Sequence, residues 1–186
     1  MLKSIMLAAS VLILSACTNT PDWDYDKSVE FANYKTFAWS ADADLKNNDG
    51  NAYQINDLME KRVRNAIIEA MLKHNIKLVE TKNADILVNY HASVDSKIET
   101  DSFNTSYTAR WNYWGFGYQT QTHTHTREYD VGTLVIDVID KTSNQLIWRG
   151  AKEGRLRNKQ TPEQRTTSVN KTVSAILANF PPSEEH

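Results

Sequence analysis

The chain has 186 residues, enough for one domain with a sizeable hydrophobic core. Hydrophobic residues make up 40% and charged residues 24%, as in globular proteins, and the formal net charge is -2, which offers no basic excess to displace counterions from nucleic acid. The single cysteine, Cys17, excludes an intramolecular disulfide and any cysteine-based zinc finger.

The first segment carries Lys3 and then an apolar run from Ile5 to Leu14. That run is about ten residues, half of the roughly 20 needed to cross a bilayer core, so it reads as the h-region of a signal peptide. It ends in Leu14-Ser15-Ala16-Cys17, which matches the bacterial lipobox. The small residues let a signal peptidase accept the chain, and the cysteine sulfur then takes a diacylglycerol through a thioether. The expectation is a signal peptide over 1–16, a lipidated Cys17 with a tether over 17–22, and one domain over 23–182. Two or three acyl chains, palmitate among them, give stable anchoring. Thr18 follows the cysteine where an inner-membrane protein of enterobacteria would carry aspartate, so the expected location is the outer membrane, facing the periplasm.

Within the domain, Phe37 and Trp39 suit a partly buried strand. The stretch NNDGN from Asn47 to Asn51 superficially resembles a calcium loop. With Gly50 at the sixth position, however, Leu45 and Asn56 stand where the acidic first and twelfth ligands belong, so it reads as a solvated loop. Ile55, Leu58, Met59, Val63, Ala66, Ile67, Ala70 and Met71 then recur at steps of three and four, which predicts an amphipathic helix. Asp57 and Glu60 have capping-box spacing and Asn75 suits a left-handed C-terminal cap.

Ile86, Val88, Tyr90, Ala92 and Val94 alternate with polar or exposed-type residues, the period of a strand with one buried face. The run Gln121 to Tyr129, with alternating threonine and histidine, is predicted as strand, whereas Trp111 to Tyr118 holds Gly115 and Gly117 among aromatics and is predicted irregular. Two β-rich runs flank Asp140 to Gln145 and read as a hairpin, with Asp137 facing Arg149, Val138 facing Trp148 and Ile139 facing Ile147. Thr161, Pro162 and Gln164 form a helix start with a capping box, and Val169, Val173, Ile176, Leu177 and Phe180 give that helix its buried stripe before Pro181 and Pro182 stop it. The order predicts an α+β two-layer sandwich: a mainly antiparallel sheet with two helices packed on one face.

The lipobox, YKTFAW (Tyr34 to Trp39), ADILVNY (Ala84 to Tyr90), GTLVIDVID (Gly132 to Asp140), LIWRG (Leu146 to Gly150) and FPP (Phe180 to Pro182) together resemble the bacterial lipoprotein family known as domain of unknown function 4136. The resemblance covers nearly the whole chain after Cys17, and its most specific feature is the pairing of GTLVIDVID with LIWRG. It implies an envelope lipoprotein domain and brings no catalytic residues.

Three constellations bear on chemistry. His123 and His125 lie two apart, a spacing that chelates zinc, copper or nickel on an extended strand, and His91 on another strand is a candidate third ligand. The competing reading is a strand of good β-formers. Trp111, Tyr113, Trp114, Phe116 and Tyr118 crowd together and suit either a partner contact or a loop folded over the sheet edge. Asp137 and Arg149 read as a cross-strand ion pair. No GxSxG, SxxK, HExxH or P-loop pattern occurs, and Cys17 is committed to lipid. The reading that results is a non-catalytic, periplasm-facing lipoprotein that needs no cofactor, is attached to the membrane through Cys17, and binds another envelope protein or polymer. A metal- or ligand-binding lipoprotein and an uncharacterised enzyme are the alternatives.

Overall fold

The computed structural model describes residues 20–41, 43, 56–105 and 121–182; for 99–105 and 121–126 it describes the backbone. Six strands form one sheet: β1 (Asp22–Tyr25), β2 (Thr36–Trp39), β3 (Lys77–Leu78), β4 (Ile86–Thr105), β5 (Gln121–Asp140) and β6 (Gln145–Arg155). Their spatial order is β1-β6-β5-β4-β2-β3. Helices α1 (Asp57–Lys73) and α2 (Pro162–Ile176) contribute to one core with the same sheet face, so the architecture is the expected α+β sandwich.

The sheet is antiparallel from β1 through β6 and β5 to β4, but β2 runs parallel to both β3 and β4. Parallel pairing follows from the connection: α1 lies between β2 and β3, and a crossover through a helix returns the chain to the same end of the sheet. Asp85 fastens this junction. Its Oδ2 accepts from the backbone N–H groups of Lys35 and Thr36, both at 2.9 Å, and from Thr36 Oγ1 at 2.7 Å. β1 begins at Asp22, one residue inside the expected tether, and adds an edge strand that the sequence pattern does not announce.

The core is assembled from the predicted faces. Phe37, Ile86, Val88, Tyr90, Leu134, Ile136, Val138 and Trp148 point from the sheet; Val63, Ala66, Ile67, Ala70 and Met71 meet them from α1; Val173 and Ile176 do so from α2. Leu58 departs from the expected α1 stripe and is 64% exposed. The N-cap of α1 is Asn56, one residue earlier than expected; its side chain accepts from Met59 N at 3.0 Å. Asn56 and Asp57 both cap helices well, so composition does not separate them. Asn75 has φ 61°, the left-handed conformation expected after the helix, and α2 starts with the expected capping box of Thr161 and Gln164. The helix ends at Ile176, and Leu177–Asn179 tightens into a 3-10 turn before the prolines.

Between β5 and β6, Asp137 pairs with Arg149 and Val138 with Trp148, as expected. Ile139 pairs with Leu146 instead of Ile147, because a register shift between Val138 and Ile139 leaves one extra residue on β6. β4 and β5 are longer than the buried pattern suggests. They remain paired from Ile86–Asp140 to Thr105–Gln121, while β6 accompanies β5 only as far as Val131. Beyond that point ten residue pairs, Ser96–Asp130 to Thr105–Gln121, continue as a two-stranded ribbon. At about 3.3 Å per residue it extends on the order of 30 Å.

Ile67, fully buried in the middle of α1, sets the first test. Ile67→Asp places a charge in the core and costs several kcal/mol against a total stability of about 5–15 kcal/mol, whereas Lys61→Asp on the exposed back of the helix is tolerated. Urea midpoints of the two variants check this, and equal midpoints would contradict the assigned face.

A second test concerns Asp85. The bonds from the Lys35 backbone and the Thr36 side chain, in that order, hold its carboxyl below the usual aspartate pKa of 3.8. A carboxylate lowered on folding contributes stability that is complete above the unfolded pKa and is lost as pH falls through the folded one. Denaturant titrations below pH 4 therefore find a steeper loss of stability in the natural protein than in Asp85→Asn, which is already weaker at neutral pH.

Candidate functional site

The two faces of the sheet differ. Alternation places even-numbered residues of β4, β5 and β6 toward the helices from Ile86 to Val94, Gly132 to Val138 and Trp148 to Gly154, and odd-numbered residues on the opposite face. Asp137 is on the opposite face yet only 4% exposed, the one buried charged residue among those described. Arg149 reaches it as a fork, Nε to Oδ1 at 2.6 Å and Nη2 to Oδ2 at 2.8 Å. His91 Nε2 stands 3.5 Å from the same Oδ2. By accepting these bonds, Asp137 raises the Arg149 pKa above its ordinary value. The bidentate geometry occupies both carboxylate oxygens, which is the requirement for keeping a charge under cover.

The histidines do not converge. β4 and β5 are neighbours, but His125 pairs with Asp101 and His123 with Phe103, whereas His91 pairs with Val135. Ten residues of strand separate His91 from Asp101, roughly 33 Å, so His91 is no third ligand for the other two. Gln121 to Tyr129 is strand, as expected. Trp111, Tyr113, Trp114, Phe116 and Tyr118 lie outside the described residues, as does Cys17; in sequence the aromatics fall between Thr105 and Gln121, the paired ends of the ribbon.

A concavity opens on the helix side, at the end of the sheet from which the ribbon leaves. It is a groove of about 480 Å³. Ala92, Val94 and Leu134 form its floor, with Gly132 and Gly154, which pair across β5 and β6. Among the described residues, no atom beyond Gly154 and its chain neighbours lies within 4 Å of where a Cβ on Gly154 would be, and Leu156, folded back after β6, packs against Gly132. The recess therefore opens over Gly154, while the Leu156 side chain takes the space over its neighbour Gly132.

Met59 and Val63 of α1 and Val169 of α2 wall the groove. Lys152, Arg157, Arg165 and Lys171 line its rim, and no acidic residue does so among those described. The sequence contains each of these residues in plain view, but Gly132 and Gly154 become neighbours only through strand register. α2 adds Arg165, Ser168, Val169 and Thr172 from one face at helical spacing. An apolar floor with a cationic rim is suited to an amphipathic anion.

The family described as Domain of unknown function (DUF4136) matches residues 21–182. The chain belongs to that family. A DUF4136 family protein from Bacteroides thetaiotaomicron is 13% identical, with 88% of this chain and 97% of that one covered and a TM-score of 0.50. A PDZ domain protein from Parabacteroides distasonis is 14% identical over 89% of this chain, with a TM-score of 0.55. The DUF4136 chain spans only 36% of that protein's length. At such identities these likenesses show the fold. No curated protein matches the sequence significantly.

The Asp137–Arg149 pair yields a test of its own. Arg149→Leu leaves a buried carboxylate without its two donors and destabilises the DUF4136 domain by about 1–3 kcal/mol. The double variant Asp137→Leu with Arg149→Leu recovers much of that loss, because the desolvated charge is gone. Chemical denaturation of both variants checks the order, and a double variant weaker than Arg149→Leu would contradict it.

Proposed function

We propose that this DUF4136 protein is a lipid-anchored lipoprotein of the bacterial envelope, attached at the outer membrane, facing the periplasm, and binding another envelope component without catalysing a reaction. The observation that carries this reading is the distance between the anchor and the fold. Cys17 ends the lipobox, and β1 begins only five residues later, at Asp22. Five extended residues reach at most about 18 Å, so acylation of Cys17 holds the domain against the membrane surface.

The ribbon supports a binding role. In sequence, Trp111, Tyr113, Trp114, Phe116 and Tyr118 fall between its two strands, and to these aromatic residues we assign contact with a protein or polymer of the envelope. Tyrosine and tryptophan suit such a contact because each buries a large ring and keeps a polar handle.

Cells grown with radioactive palmitate test the anchor. The natural protein takes up label and fractionates with the outer membrane, and Cys17→Ala loses both the label and processing at that site. Unchanged labelling of the variant would overturn the lipoprotein reading.

A further inference from the structure

The groove lies at the tethered end of the sheet. Asp22 pairs with Ala151, and the groove residues Lys152 and Gly154 follow Ala151 directly along β6. From Ala151, β6 advances about 10 Å to Gly154, a shorter span than the tether itself can cover. We infer that the groove binds the headgroup and upper acyl region of an anionic phospholipid from the membrane that holds the domain, an inference that rests on the lipid anchor at Cys17.

Charge and shape select this occupant. A phosphodiester carries one negative charge and accepts hydrogen bonds from arginine in pairs, and Arg157, Arg165, Lys152 and Lys171 supply cations around the rim. The hydroxyls of Ser168 and Thr172 on α2 add donors beside them. Below the rim, Ala92, Val94, Leu134 and the paired glycines offer an apolar floor for the glycerol end of the acyl chains. The volume of about 480 Å³ falls within the ~300–1,000 Å³ usual for small-ligand sites. It takes a headgroup with the first chain segments and leaves the remainder in the bilayer. The membrane also raises the local concentration of anionic headgroups near a tethered basic rim.

Native mass spectrometry of the full-length lipidated protein in nonionic detergent tests the inference, with phosphatidylglycerol as the probe and phosphatidylcholine and inorganic phosphate as comparisons. Gly154→Leu fills the recess at a position with open space around it, and Arg165→Glu with Lys171→Glu reverses part of the rim. Lys61→Glu, elsewhere on α1, is the control. Phosphatidylglycerol binds the natural protein and the control, and binds both groove variants about tenfold more weakly, in keeping with lost charge-assisted bonds. Phosphatidylcholine binds more weakly, and excess inorganic phosphate does not displace the lipid.

Thermal unfolding confirms that each variant is folded; should Gly154→Leu fail this, the double charge reversal decides. Equal binding by the groove variants, equal binding of phosphatidylcholine, or displacement by free phosphate would overturn the inference. The mass of the N-terminal peptide reports acylation separately. Lipid bound at the groove of a protein with unmodified Cys17 removes the anchor and leaves the lipid site; an acylated protein that does not bind phosphatidylglycerol removes the lipid site alone.

Discussion

The packing of the helical layer turns on Gly150. A Cβ there would come within 2.7 Å of Ile176 Cγ2, and the Trp148 ring occupies the remaining space over the same strand. Glycine weakens a strand by about 0.5–1 kcal/mol relative to alanine. Here that cost is offset, because a fully buried tryptophan lies over the gap and α2 sits close to β6. From this point an aromatic chain ties the distant parts of the sequence together. Trp148 meets Phe180 with centroids 5.2 Å apart, Phe180 meets Phe31 at 6.0 Å, and Phe31 meets Tyr25 and Tyr34. Tyr34 then donates to Asp140 at 3.0 Å, closing the circuit on β5. Burial, and then the bond to Asp140, push the Tyr34 pKa up to about 12.

That circuit gives a physical account of several short motifs. YKTFAW contributes Tyr34, together with Phe37 and Trp39, which pack edge-to-face at 5.5 Å; Trp39 then meets Tyr90 at 5.4 Å under the Arg64 guanidinium. ADILVNY supplies Asp85, the clamp on β2, and the buried Ile86, Val88 and Tyr90. LIWRG supplies Trp148, Gly150 and the arginine that covers Asp137. In this chain these residues assemble the fold, and they carry no chemistry of their own.

What the sequence reveals depends on how far a physical signal reaches along the chain. Alternation over Ile86 to Val94 and helical spacing over Val63 to Met71 are local, and both buried faces follow from them. The Asp137–Arg149 pairing is also legible, since a hairpin brings near neighbours together and opposite charges match. The bulge escapes notice because Leu146 and Ile147 are both apolar, and either fits opposite Ile139. Half of the ribbon is legible, because the alternation of Gln121 to Tyr129 announces a strand; the outer part of β4, from Ser96 to Thr105, is not, and its backbone pairing with β5 defines it. The groove is the least legible feature, since Gly132 and Gly154 are ordinary strand glycines until the register aligns them.

The register itself has a guard. Because side chains alternate, a slip of one residue between β5 and β6 would turn Asp137 toward Ile136's place in the core and strip it of Arg149. A buried carboxylate without its partner costs more than an apolar mismatch, so the ion pair penalises the wrong alignment more strongly than it stabilises the right one. The alignment it protects is also the one that sets Gly132 beside Gly154, five residues further along the same two strands. The charge on one face of the sheet thereby fixes the recess on the other. A ligand site made of absent side chains has nothing of its own to hold it in place, and in this protein the strand register does so from the opposite face.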